Sequence, residues 1–106
     1  MTDHIKSGAE LLLKAADLLE EQGWCRGNYR NSAGHHCAVG ALKEAAYRIG
    51  RPMSTFDVAF SAAERALTGD DAEVYVNLIS WNDQLRDKRY VTRLFRRAAR
   101  QLQAAR

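Results

Sequence analysis

Cys25, His35, His36 and Cys37 are the residues of this chain with the types needed to bind a metal or attack a substrate. They lie in the stretch Gly23–Leu42, which holds both cysteines, two of the three histidines, one of the two tryptophans and four of the seven glycines. Three chemistries follow from such residues. Structural zinc needs four ligands converging tetrahedrally. On extended backbone, neighbouring side chains point to opposite faces, so His35 and Cys37 share a face that His36 leaves. The paired-cysteine spacing that usually seeds a zinc site is also absent. A Cys25–Cys37 disulfide requires Cα atoms within ~7 Å. A cysteine nucleophile at Cys37 would gain from its place at a helix start. His35 or His36 would then serve as base and Asn82 as its orienting group. Residues so close in sequence rarely reach that mutual geometry, and buried cysteine is usually inert packing. The reading adopted is two buried thiols and one exposed histidine, with no catalytic residue, no cofactor and no metal.

The elements around this stretch are helical. Residues 4–22 carry Ile5, Ala9, Leu12, Ala16 and Leu19 at helical spacing, with Leu13 and Leu18 widening the stripe. Thr2 or Asp3 suits the N-cap, and Gly23 suits the left-handed position that ends the helix. Residues 24–37 lose this rhythm. Asn31-Ser32-Ala33-Gly34 is a turn signal, which predicts a short β-hairpin with Arg30 facing His35, Tyr29 facing His36 and Asn28 facing Cys37. That register sets Cys37 three residues from Cys25's cross-strand position and argues against the disulfide. A lone hairpin is marginal, so Trp24 and Tyr29 are expected to anchor it on the helices.

A second helix over 38–49 has Ala38, Ala41, Leu42, Ala45, Ala46 and Ile49 on one face. Gly40 and Ala41 there would admit a neighbouring helix closely. Gly50 and Pro52 end it. Ser54 opens a third helix with Asp57 at capping-box distance, and its inner face is Phe56, Ala59, Phe60, Ala63 and Leu67. Asp70 or Asp71 caps a short fourth helix bearing Val74, Leu78 and Ile79. Trp81-Asn82-Asp83 is expected to break the chain, with Trp81 in the core and the polar pair at a turn. Asp87 caps the last helix, whose inner residues are Val91, Leu94, Phe95, Ala98 and Leu102. The expected fold is therefore mainly α: about five helices in a small globular bundle, with one short β-hairpin between helices one and two. All 106 residues suit a single domain.

Charge is distributed unevenly. Eight basic residues and one acid from Arg86 onward give that segment +7, against −4 for the rest of a chain whose total is +3. Arg89, Arg93, Arg96, Arg97 and Arg100 form a basic face on the last helix that can meet phosphates or lie against the chain's own acids. No apolar run nears the ~18 residues of a membrane span, and no secretory signal opens the chain. Neither membrane association nor export is expected, and the setting expected is cytoplasmic.

The runs Gly23-Trp24-Cys25-x-Gly27-x-Tyr29, Cys37-Ala38-x-Gly40-Ala41-Leu42 and Trp81-Asn82-Asp83 resemble a family of small actinobacterial and actinophage proteins built on a domain of unknown function. The resemblance spans nearly the whole chain and implies a source in actinobacteria or their phages. It implies no activity. The expected function is a non-enzymatic interaction or accessory role exerted by binding a protein. Tyr29, His35, His36, Asn82 and Asp83 form the candidate functional surface. The alternatives are nucleic-acid binding through the basic face and, third, a Cys/His-dependent enzyme or metal module.

Overall fold

Helical spacing of small and branched apolar residues dictates most of the architecture. The computed structural model describes residues 3–50, 52–69 and 77–104. Five helices form among them: α1 (Asp3–Gln22), α2 (Ala38–Arg48), α3 (Met53–Thr68), α4 (Leu78–Gln84) and α5 (Arg89–Ala104). α1 is the central element, with α2, α3 and α5 all packed on it. Its buried stripe is Ala9, Leu11, Leu12, Ala15, Ala16, Leu18 and Leu19. Leu13, expected inside, is 40% exposed. On α5, Val91, Leu94, Phe95, Ala98 and Leu102 are buried as the periodicity demands, and Phe95 is the largest fully buried side chain. The alanines of α2, α3 and α5 let the helices approach closely. The larger side chains of α3, Phe56 and Phe60, stack at 5.8 Å between ring centroids beside the core.

Several helix ends differ from expectation. α3 begins at Met53 behind Pro52, whose φ of −71° is pre-set for a helix entry, and there is no side-chain cap bond. The Ser54–Asp57 box therefore does not form, because Ser54 is already inside the helix. α4 is capped by Asn77, whose Oδ1 accepts the Ser80 amide at 3.1 Å. The carboxylate of Glu64 on α3 accepts the Leu78 amide at 3.0 Å. Trp81-Asn82-Asp83 is part of α4 rather than a break. Asp87 acts as foreseen: its Oδ1 accepts the Arg89 amide at 2.8 Å. Thr2, Asp70, Asp71 and Val74 lie outside the described residues.

The β-hairpin expected between α1 and α2 is not present: no strand forms among the described residues. His36 instead makes two isolated bridges, parallel with Trp24 and antiparallel with Arg30. Its N–H donates to Gly23 O and its carbonyl accepts from Cys25 N, at 3.1 and 3.0 Å. On the other edge, Cys37 N donates to Tyr29 O and Asn31 N to His35 O. Segment 24–30 thus wraps around a single extended strip at His36. Gly27 sits at φ +81°, turning the chain before a second strand pair can extend. The register also differs, since Arg30 rather than Tyr29 lies opposite His36.

Candidate functional site

The loop 23–37 is held from both sides. Gly23, at φ +96°, ends α1 and carries the His35 ring directly over its Cα; an added Cβ would lie 2.6 Å from that ring. Gly40, on the first turn of α2, lies against loop backbone: a Cβ there would fall 1.9 Å from Tyr29 O. The close approach that Gly40 permits is therefore of the loop, not of a helix. The Cys25 thiol donates to Asn28 O and His35 O, both at 3.4 Å. Cys37 is the N-cap of α2 and its sulfur accepts the Gly40 amide at 3.3 Å.

Asn82 fixes this loop to α4. It is fully buried. Its Oδ1 accepts from Trp24 Nε1 at 2.7 Å and from Ala38 N at 2.9 Å. Its Nδ2 donates to Cys25 O at 3.2 Å and to Asp83 Oδ1 at 3.4 Å. Asp83 Oδ1 also accepts the Gly27 amide at 2.8 Å, and Arg26 donates to Leu85 O at 3.1 Å. The two motifs, more than fifty residues apart, are the two halves of one hydrogen-bonded joint. Asn82 is accordingly removed from the candidate surface.

The remaining expected residues separate. His35 covers Gly23, whereas His36 is buried and pairs through Nε2 with Gln22 Oε1 at 3.1 Å. Burial, more than any neighbouring charge, pushes the His36 pKa down, so the ring is neutral at pH 7. Burial first, and then the proximity of Cys37, pushes the Cys25 thiol up and keeps it protonated. Cys37, His36 and Cys25 are thus committed to different partners. Among the described residues, no group of three or more His, Cys, Asp or Glu side chains can hold a metal ion. Tyr29, expected as an anchor, is 50% exposed, with Lys43 Nζ 4.4 Å from its ring centroid.

Two concave surfaces adjoin α2, and the loop borders one of them. A polar cleft of about 370 Å³ is lined by Gln22, Arg30, Ala33, Gly34, His36, Glu44 and Arg48. Glu44 and Arg48 pair at 2.9 Å, and that bond holds the Glu44 carboxyl below its ordinary range. A second groove, also about 370 Å³, lies at the α2–α3 corner between Lys43, Ala46, Tyr47, Pro52, Met53 and Phe56. His36 is the one lining residue that sequence reasoning placed on the candidate surface. The other signals were Tyr47, off the apolar stripe of α2, Met53 at the start of α3, and the i,i+4 pair of Glu44 and Arg48 in the second half of α2.

The α5 arginines are partly engaged at home. Arg96 reaches Asp17 and Glu20 of α1 at 4.0 Å, Arg89 pairs with Asp87 at 2.8 Å, and Arg97 donates to Ala66 O at 3.4 Å. Arg93 and Arg100 make no ion pair among the described residues.

Residues 6–101 match the model of a family of unknown function, DUF6197, and the chain belongs to that family. Neither the curated proteins nor the solved structures include a match to the chain.

Proposed function

We propose that this family member is a non-enzymatic binding module that docks a protein partner at the α2–α3 corner. The observation that carries the reading is the exposure of Tyr47 (84%) and Met53 (70%) around the groove floored by Ala46 and Phe56. Aromatic residues and methionine are enriched in protein interfaces and give large contact area. Exposed Tyr29, beneath Lys43, extends the same surface onto the loop. Lys43 is the charged residue lining the groove. The fitting occupant is therefore a segment of another protein that presents an apolar anchor flanked by carboxylates. Two buried free thiols suit the reducing cytoplasm in which such an accessory protein would act. A source in actinobacteria or their phages belongs to the same reading, on the resemblance of the loop and Trp81-Asn82-Asp83 motifs. The five-arginine face supports nucleic-acid binding less well, because three of the five already have intramolecular partners.

Selection of a displayed random-peptide library on the folded protein tests this reading. Recovered peptides should carry an apolar residue beside Asp or Glu, and Met53→Asp or Lys43→Glu should weaken them at least tenfold. Both side chains are exposed, so the variants should melt like the parent. Peptides that bind the variants unchanged would place the docking surface elsewhere. A concentration-dependent dimer abolished by Met53→Asp would replace the foreign partner with a second copy of the chain.

A further inference from the structure

We propose that the polar cleft between the loop and α2 is a binding site for a small hydrophilic oxyanion, a molecule bearing a phosphate or carboxylate group. Its volume of about 370 Å³ lies at the small end of ligand sites. Its walls come from three separate segments. Gln22 ends α1, Arg30, Ala33, Gly34 and His36 belong to the loop, and Glu44 and Arg48 stand one turn apart on α2.

The charges decide the ligand class. Arg48 is balanced by Glu44 at 2.9 Å. Arg30 has no ion pair among the described residues, so the cleft carries an uncompensated positive charge. Guanidinium groups suit phosphate and carboxylate because their fork can donate two parallel hydrogen bonds. The other walls suit hydroxyl groups, since Gln22, His36 and Glu44 all carry hydrogen-bonding atoms. No Phe, Tyr or Trp side chain lines the cleft to stack on a nucleobase. A compact, hydroxyl-bearing anion fits better than a nucleotide.

The floor is rigid. The His36 backbone is bonded to Gly23 and Cys25 on one edge, and its neighbours are bonded to Tyr29 and Asn31 on the other. Its ring is held by Gln22. Little of this wall must be ordered on binding, which favours a small ligand. Glu44 opposes an anion twice, by repulsion and by occupying Arg48. This gives the site a signature that a general surface attraction lacks: removing the Glu44 charge should tighten binding.

Titrating the isotope-labelled protein with inorganic phosphate, glucose 6-phosphate, citrate and, as an uncharged control, glucose tests the proposal. At least one anion should give saturable shifts at Gly34 and His36 at millimolar concentration or below, and glucose should give none. Binding of inorganic phosphate and glucose 6-phosphate without citrate would identify a phosphate ligand. Citrate alone would identify a carboxylate. Arg30→Gln and Arg48→Gln should each weaken binding about tenfold, while Glu44→Gln strengthens it. Absence of saturable shifts, or affinity unchanged in both arginine variants, would overturn the proposal. So would a Glu44→Gln variant that binds more weakly while melting like the parent. The site uses a different face of α2 from the docking corner and stands independently of it.

Discussion

At the scale of single residues, Asn82 does the most to hold the molecule's chemistry-bearing loop in place. Both ends of its amide are used: the oxygen takes two donors and the nitrogen serves two acceptors. No other side chain type of this size both accepts and donates with that geometry. Aspartate would keep the two acceptor bonds but could not donate to Cys25 O. It would also bury a carboxylate next to that of the exposed Asp83, which is costly without a cation. Asn82→Ala leaves the Trp24 indole N–H, the Ala38 amide and the Cys25 carbonyl without this partner. A buried polar group stripped of its bond costs ~1–3 kcal/mol, and water entering the vacated space recovers part of that. The expected loss is roughly 3 kcal/mol in urea unfolding, with Asn82→Asp at least as damaging at neutral pH. A change below about 1 kcal/mol, within the range of a single ordinary hydrogen bond, would show that the joint is held by other contacts. Asn82 was legible in the sequence only as a polar residue beside a tryptophan. Its partners in the loop and at the start of α2 lie 44 to 58 residues away, and no local pattern announces a pairing at that distance.

At the scale of elements, the helices were readable because each buries one stripe, and a stripe repeats along the chain. α5 shows this best: every expected inner residue is buried. The loop was not readable as a loop. Asn31 and Gly34 do form a turn, with the Gly34 amide donating to Asn31 O at 3.0 Å. A turn signal predicts that the chain reverses; it does not say how far the pairing continues. Here pairing stops after one residue on each side, because 23–25 takes the other edge of His36. Cys25 and Asn82 then supply bonds that a longer ladder would have provided. Helix boundaries failed where capping was assigned by residue type alone, as at Ser54, since Pro52 starts the same helix by geometry. The loop's tight seat on α2 gives a test at this scale. Gly40→Ala would drive a methyl group into Tyr29 O and push the loop off α2. Overpacking of this kind costs ~1–3 kcal/mol, more when backbone must move. Gly27→Ala meets no atom and bears only the cost of its positive φ, ~1–2 kcal/mol. Thermal unfolding should therefore rank Gly40→Ala below Gly27→Ala. The reverse order would mean that the loop yields easily and is not clamped by the helix.

At the scale of the whole molecule, the opposed charges of the two ends of the chain meet across the α1–α5 interface. Lys88 and Arg96 lie 3.6 and 4.0 Å from Glu20, and Arg96 also reaches Asp17. These pairs are solvent-exposed, and such pairs contribute only ~0–1 kcal/mol each. They bias the seating of α5, whereas its buried face supplies the holding energy. They also lower the charge available to an external phosphate backbone. Phosphate binding through released counterions is steeply salt-dependent. A face with Arg93 and Arg100 as its unpaired cations should make few such contacts. Binding to duplex and single-stranded DNA should then be weak at low salt and lost at physiological salt. Arg93→Glu with Arg100→Glu should change it little in absolute terms. Asp17→Asn with Glu20→Gln is the informative companion, because it frees Arg96 and Lys88 without touching the arginine face. That variant should gain affinity at low salt and show a steeper salt slope than the parent. Sub-micromolar binding by the parent near physiological salt, lost on Arg93→Glu with Arg100→Glu in a folded protein, would make the basic face a nucleic-acid surface. The acids of α1 would then act as its internal competitor.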